Sequence, residues 1–545
     1  MLLSSLVVGF STACASGPSA VIEAETIYAD LNDARSVIGA LDSGLFASYQ
    51  GKDRAAWQRV FQEKRAELAR HLAALPDSGQ PASDANVVAV LRAKLESFTG
   101  IPASENTQWG QCEDSLRKDV EFAALKRALV GCFAEIANGL SFENGRIDRV
   151  SALGMLHELD EPDRRKTLFL AFAPLWRAVN GDNEADSPYR RLMALAAAEA
   201  ADDGSEIDAA ARTVGVTRAE LELWLQQVLE RWRTVTAGDM VEPWDYRYRT
   251  GAADRQLASR ISLEALLPIN QHFYRELGAD LDELGVRYDL APRAGKSPVA
   301  YTDFLVHGRT VDGRWQPTIA RVLASYREGT LGALNELVHE NGHAVHVSAI
   351  RNRPAYVDWN DDLFVEAFAD VSSWSVYEPA WQRRHLGADV PEADSLRALY
   401  GGVMLDVAWA LFESRLLRDP TADPNALWTE ITSHYLHIVP HPDISWWAVR
   451  TQLVELPGYM VNYGLGAVVT ADLRERIRDA IGPFDTGNPR WYPWLSANLL
   501  RYGSERDTAT LLRTFLGRSV SPAAVLGQIQ RMAPGRAQRG GAIWF

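Results

Sequence analysis

Cysteine is scarce in this chain. Its 545 residues include three, Cys14, Cys112 and Cys132, and no two of them form a CxxC pair, so a cysteine-rich zinc site is excluded. Positive charge is also in deficit: 56 Lys and Arg stand against 71 Asp and Glu, for a formal charge of −15. Phosphates would be repelled over most of such a surface, which argues against a nucleic-acid partner or an anionic membrane and leaves basic or neutral small substrates as the easier ligands. The sequence has no internal repeat and no low-complexity tract, so solenoid and fibrous architectures lose their support. Polar breaks rich in Pro, Gly, Ser and Asp occur at 76–83, 181–188 and 202–205, and none is long enough for a flexible linker. What the chain does have is a hydrophobic fraction of 47% with 23% charged residues, the balance of a globular protein. At this length two lobes or one large helical assembly are expected.

The N-terminus carries an apolar run from Leu2 to Phe10 followed by small residues. It resembles a signal-peptide core and is too short to span a bilayer. Ser11-Thr12-Ala13-Cys14 is similar to the bacterial lipoprotein processing box, in which the cysteine is acylated, with Ser11 where an aliphatic residue is usual. Residues 1–20 are therefore expected to be a leader. The protein is then exported, either periplasmic or held to a membrane by a lipid anchor through Cys14; the alternative is a cytoplasmic protein with a frayed apolar N-terminus. Setting Cys14 aside leaves Cys112 and Cys132, which either pair in an oxidising compartment or remain buried thiols.

Residues 21–240 read as successive amphipathic helices, as between Trp57 and Leu75, where apolar residues recur at three- and four-residue spacing. The texture changes at Val241-Glu242-Pro243-Trp244-Asp245-Tyr246, and 241–545 is taken as the catalytic region. Its β-like segments fall near Arg287–Leu290 and Thr318–Leu323, which predicts a small sheet. Thr330 is a good N-cap for a helix from Leu331 to about Ile350, and Pro354 stops its continuation.

Within that helix lies His339-Glu340-Asn341-Gly342-His343, an H-E-x-x-H motif. A helix turns about 100° per residue, so the two imidazoles share one face and can reach one ion. Zinc accepts neutral imidazoles and, in catalytic sites, keeps one position for water. Glu340 follows the first ligand directly and suits the role of general base. A third ligand must come from elsewhere, and Glu366, twenty-three residues beyond His343, can return on a helix packed beside the first. Asp370, one turn later, could accept the free N–H of a ligand histidine. Asp361 and Asp362 are rival ligands in a polar loop. His346 is read as a packing residue, and His434, His437 and His441 as loop residues without a role.

With these residues the chain resembles the M3 family of metallopeptidases, the group of thimet oligopeptidase and the oligoendopeptidases. Pro243-Trp244-Asp245 is similar to its P-W-D element, and Asp289-Leu290-Ala291-Pro292-Arg293-Ala294-Gly295-Lys296 to its D-L-x-P-R-x-G-K segment. The zinc helix follows H-E-x-G-H-x-x-H through His346, and Gly503-Ser504 with Phe515-Leu516-Gly517-Arg518 resembles the closing G-S and F-x-G-R elements. The likeness covers roughly residues 241–530. It implies a mainly α-helical, two-lobed metallopeptidase with a deep central channel, a small β-sheet near the zinc helix, one Zn2+ per chain and oligopeptides as substrates. It also implies that Tyr459 and Tyr463, which otherwise read as partly buried aromatics, donate hydrogen bonds to the tetrahedral oxyanion.

Two positions depart from the pattern. Val454 stands where a histidine is usual, and Gly466 where the later tyrosine falls. The Glu366-x-x-x-Asp370 arrangement is more like angiotensin-converting enzymes, so an M2-like carboxydipeptidase is the neighbouring alternative. A catalytically silent peptide-binding protein and a zinc hydrolase of another amide are the others. Arg293 and Lys296 could meet a substrate carboxylate but fit a structural ion pair better.

Overall fold

The computed structural model describes residues 20–76, 81–98, 121–293, 296 and 299–533. Residues 1–19 of the expected leader, Cys14 among them, lie outside the described residues, as does Cys112. Cys132 is buried and disulfide-bonded.

The chain is mainly α-helical with small sheets, as the sequence predicts. The breaks at 76–83, 181–188 and 202–205 all separate helices: Arg54–Ala74 from Ala82–Ser97, Ala173–Asn180 from Pro188–Asp203, and the latter from Glu206–Val214. One feature of the N-terminal half does not read from the sequence, a hairpin of Leu140–Phe142 and Gly145–Ile147. Its two-residue turn, Glu143-Asn144, places Glu143 at φ 51°, in the left-handed backbone that such turns need.

One hydrophobic core runs from Leu125 to Met532 and includes residues on both sides of position 240. A second, smaller core gathers the helices Ala20–Asp42, Arg54–Ala74 and Ala82–Ser97 around Tyr28, Phe61 and Leu91, and reaches the rest of the chain through Leu305 and Ala355. The helix Glu392–Arg418 is long and apolar enough to cross a membrane, but 78% of its apolar window is buried in the protein. It is a core helix.

The sheet that positions the site has three strands. Ile319–Leu323 lies in the middle, parallel to Arg287–Asp289 and antiparallel to Tyr301–Val306. Arg287–Asp289 and the middle strand Ile319–Leu323 match the predicted β segments. Tyr301–Val306 and the hairpin Arg309–Val311/Arg314–Gln316 do not read as strands in the sequence. A cleft of about 1210 Å³ opens between the first two helices and this hairpin, lined by residues such as Asp33, Trp57, Arg309 and Trp315. None of the candidate site residues lines it.

Candidate metal centre

The H-E-x-x-H helix spans Leu331–Ala349, capped by Thr330, whose side chain accepts the N–H of Ala333 at 3.0 Å. Such a cap is worth about 1 kcal/mol. The helix is buried along its last two turns because it is sandwiched. On one side lies the sheet, and on the other the helix Asp362–Ser373, which carries Glu366. Asp361 caps that second helix by accepting the N–H of Phe364 at 3.0 Å. That bond engages it as a helix cap.

The two helices approach closely because residue 342 is glycine. A Cβ there would stand 2.7 Å from Cα and 2.8 Å from the carbonyl oxygen of Ala369. Tyr274 locks the pair from behind: its hydroxyl donates to the carbonyl of Val338 at 2.6 Å and lies 2.7 Å from Oγ of Ser372. Tyr288 on the first strand donates to Oδ1 of Asn341 at 2.6 Å, fixing the motif against the sheet.

This framework brings His339, His343 and Glu366 together, with their ligand atoms all within 4.8 Å of one another. Nε2 of His339 lies 3.2 Å from Oε2 of Glu366 and 3.1 Å from Nε2 of His343, which is 3.8 Å from the same carboxylate oxygen. The imidazole planes cross at 89°. Nδ1 of His339 meets Asp370 at 2.7 Å, so its Nε2 is the nitrogen turned toward the trio.

Glu340 is buried but outside the trio. Thr302, on the edge strand Tyr301–Val306, places its hydroxyl 2.7 Å from the Glu340 carboxylate and 2.8 Å from the Glu340 carbonyl. Burial pushes the Glu340 carboxyl up to about 8, against the opposing charge of His339 and the Thr302 hydrogen bond. Burial acts on Glu366 in the same sense. There the hydrogen bond from His339, the charges of both histidines and the Tyr459 hydroxyl win, and hold it at about 2. Burial would lower His339, but the charge and hydrogen bond of Asp370, aided by Glu366, carry it well above the usual imidazole range. His343 is driven down to about 3 by burial and by the charge of His339. The trio thus holds a fixed carboxylate, Glu366, and a second acid, Asp370, stands behind His339. That donor set fits a divalent cation: two imidazoles and a carboxylate are ligands zinc takes, and His339 is oriented by an acid on its far nitrogen.

Tyr459 and Tyr463 also reach the centre. Their hydroxyls donate to Oε1 of Glu366 at 2.9 and 3.2 Å. His346 packs edge-on against Trp359, Phe364 and Phe368 and stays away from the trio. Asp289 binds both Arg293, at 2.7 Å, and Lys296, at 3.0 Å, so these cations form a structural ion pair. His437 ends the helix Pro424–Leu436 with φ 56°, and His441 pairs with Glu242 at 2.8 Å. Val454 is fully buried in the main core.

Three contributors are not legible as motifs. Thr302 comes from a strand that the sequence does not announce. Arg450 lies 5.1 Å from the ring centre of Tyr463 and pairs with Asp406 at 3.3 Å. Glu413, fully buried on the core helix, accepts the N–H groups of Gly458 and Met460 at 2.9 and 3.0 Å and so grips the backbone on both sides of Tyr459.

No known family's sequence profile matches the chain, and no curated protein matches it. Solved structures do match. An M32 carboxypeptidase from Deinococcus radiodurans R1 is similar over 94% of this chain and 98% of its own, with a TM-score of 0.54 and 16% identity. PZ peptidase A, solved with an inhibitor, is similar over 93% and 97%, with a TM-score of 0.56 and 15% identity. A Bacillus anthracis structure described as an oligoendopeptidase F is similar over 92% and 94%, with a TM-score of 0.53 and 14% identity. The chain has the fold of the helical metallopeptidases. Carboxypeptidases and an oligoendopeptidase share that fold, so the likeness carries the architecture and leaves the subfamily open.

Proposed function

We propose that this protein is a zinc-dependent metallopeptidase of the M3-like type that hydrolyses peptide bonds of short oligopeptides. The observation that carries the reading is the convergence of His339, His343 and Glu366 within 4.8 Å, with Asp370 behind His339 and the uncommitted acid Glu340 beside it. His339, His343 and Glu366 would hold one Zn2+ per chain. Zinc bound there would supply Lewis-acid polarisation of water and of the scissile carbonyl.

Glu340 takes a proton from the attacking water and hands it to the departing amine. Thr302 holds the carboxylate in place while it changes charge. Tyr459 and Tyr463 donate to the carbonyl oxygen as it gains negative charge. In the resting site both hydroxyls are occupied by Glu366, so one must turn toward the substrate. The central channel, the preference for short peptides and the M3 assignment rest on the sequence motifs. Export, with a lipid anchor through Cys14, rests on the resemblance of residues 1–20 to a leader.

A second reading, carboxypeptidase action, is favoured by the Glu366-x-x-x-Asp370 arrangement and by the fold shared with an M32 carboxypeptidase. Product masses from peptides with free and blocked C-termini separate the two. The reading as a whole is tested with zinc analysis and quenched fluorogenic peptides of several lengths. Wild type should bind one catalytic zinc and turn over, while Glu340→Gln should keep the zinc and lose about 10²- to 10⁴-fold in rate. Zinc-loaded wild type that cleaves no peptide in a broad library would make the chain a silent binder.

A further inference from the structure

Among the described residues, one other group brings three metal-type ligand atoms within 4.8 Å of one another: His272, Glu276 and His385. His272 and Glu276 stand four residues apart on one face of the helix Leu266–Glu276. His385 lies in the last turn of the neighbouring helix Pro379–Leu386. Nε2 of His272 is 3.3 Å from Oε1 of Glu276, and Nε2 of His385 is 3.5 Å from Oε2. Zinc bound to nitrogen and oxygen at about 2.0 to 2.2 Å sets neighbouring ligand atoms roughly 3.3 to 3.6 Å apart in a tetrahedron. Each histidine nitrogen already stands at such a distance from one oxygen of the Glu276 carboxylate, His272 from Oε1 and His385 from Oε2.

The second observation is the state of His385. Its side chain is 2% exposed, and the ring is held against Trp381, with centroids 4.5 Å apart, and against Phe273 at 5.5 Å. Its Nε2 is buried and makes no hydrogen bond. Leaving such an atom unsatisfied is unfavourable, and a ligand to that nitrogen removes the penalty. The ring is therefore fixed and aimed at the carboxylate before anything binds. His272, with 58% of its side chain exposed, leaves the group open to solvent. The guanidinium of Arg384 also touches Glu276, its Nε at 3.1 and 3.0 Å from the two oxygens. Each carboxylate oxygen keeps a further lone pair for a second partner, but the fixed positive charge lowers the affinity of any cation placed there.

We propose that His272, Glu276 and His385 form a second, structural site for a divalent transition metal of the zinc class, which clips the helix Leu266–Glu276 to the helix Pro379–Leu386. Its position gives it a consequence for the rest of the molecule. Tyr274, two residues from each ligand on the first of these helices, is the residue whose hydroxyl ties Val338 to Ser372 across the two helices of the catalytic centre. A metal on the outer face of that helix steadies the strut on which the inner face bears.

The test is equilibrium dialysis of the full chain against micromolar zinc, followed by elemental analysis. Four proteins are compared: wild type, His343→Ala, His272→Ala and the double variant. The expected zinc contents are two, one, one and none. His272 is a half-exposed surface residue, so its loss leaves folding intact, which circular dichroism checks. Zinc should also raise the Tm of His343→Ala and leave the double variant unchanged, and Arg384→Gln should tighten the second site. The proposal stands if His272→Ala removes one zinc in both backgrounds, and it falls if either pair binds equally. Failure of the catalytic-site reading would appear separately, as equal zinc in wild type and His343→Ala.

Discussion

Nδ1 of His339 lies 2.7 Å from Oδ1 of Asp370, an oxygen that also accepts the hydroxyl of Ser373 at 2.9 Å. The acid fixes the ring and keeps Nε2 turned toward Glu366 and His343. Replacing Asp370 by Asn keeps the shape and removes the charge. Zinc affinity should fall about 10- to 100-fold, read by competition with a chelating dye, while the fold is retained. Unchanged affinity would mean that Asp370 does not tune the ligand.

Tyr459 tests the electrostatic half of the reaction. Tyr459→Phe keeps the ring and deletes the hydroxyl, and Tyr463 still donates to Glu366 at 3.2 Å. Zinc content should therefore hold while kcat drops about 10²-fold, the usual loss when one oxyanion donor is removed. A variant with wild-type kcat would assign the hydroxyl to holding Glu366 alone.

Gly342 is where the two ligand helices touch. In Gly342→Ala the new methyl meets backbone atoms of Ala369 at 2.7 and 2.8 Å, and backbone cannot rotate away as a side chain can. The helices must separate, at about 1 to 3 kcal/mol, and His339 and His343 move away from Glu366. Both Tm and zinc affinity should fall together. A variant as stable as wild type would show that the contact is looser than described.

Glu413 provides a pH test remote from the metal ligands. Burial raises its carboxyl from 4.5 to about 8, against the two backbone N–H groups that favour its charge. In the unfolded chain the group ionises near 4.5, so between 4.5 and 8 folding takes up a proton. Its contribution is then fully present below the lower value and is lost as pH climbs through the upper one. Glu413→Gln should lower stability overall, since an amide offers one acceptor oxygen to two donors. It should also flatten the decline in urea midpoint over this interval relative to wild type. Parallel pH profiles for the two proteins would contradict the assignment.

The sequence carries much of this architecture because the decisive signals are local. Thr330 before an apolar run, two histidines one turn apart and Glu366 within a short helix are all readable without tertiary information. The close approach at Gly342 is a consequence of the same motif. Contacts assembled across long separations are another matter. Thr302 reaches Glu340 from an edge strand whose burial pattern has no regular alternation. Glu413 meets the loop at Tyr459 across forty-five residues, in a helix apolar enough to look like simple core. His272 and His385, each unremarkable in its own segment, meet only when two helices pack. The hairpin at Leu140–Ile147 is not legible either, since its strands are three residues long and the left-handed position of its turn is taken by Glu143.

Uptake of a divalent ion by His339, His343 and Glu366 underlies every step proposed for this site. Zinc-edge X-ray absorption on the His272→Ala protein, loaded with one equivalent of zinc, addresses it most directly. Two imidazole shells and a carboxylate oxygen at about 2.0 to 2.2 Å are predicted, with one imidazole shell lost in His343→Ala. A spectrum without imidazole scattering, or one unchanged by that substitution, would contradict it.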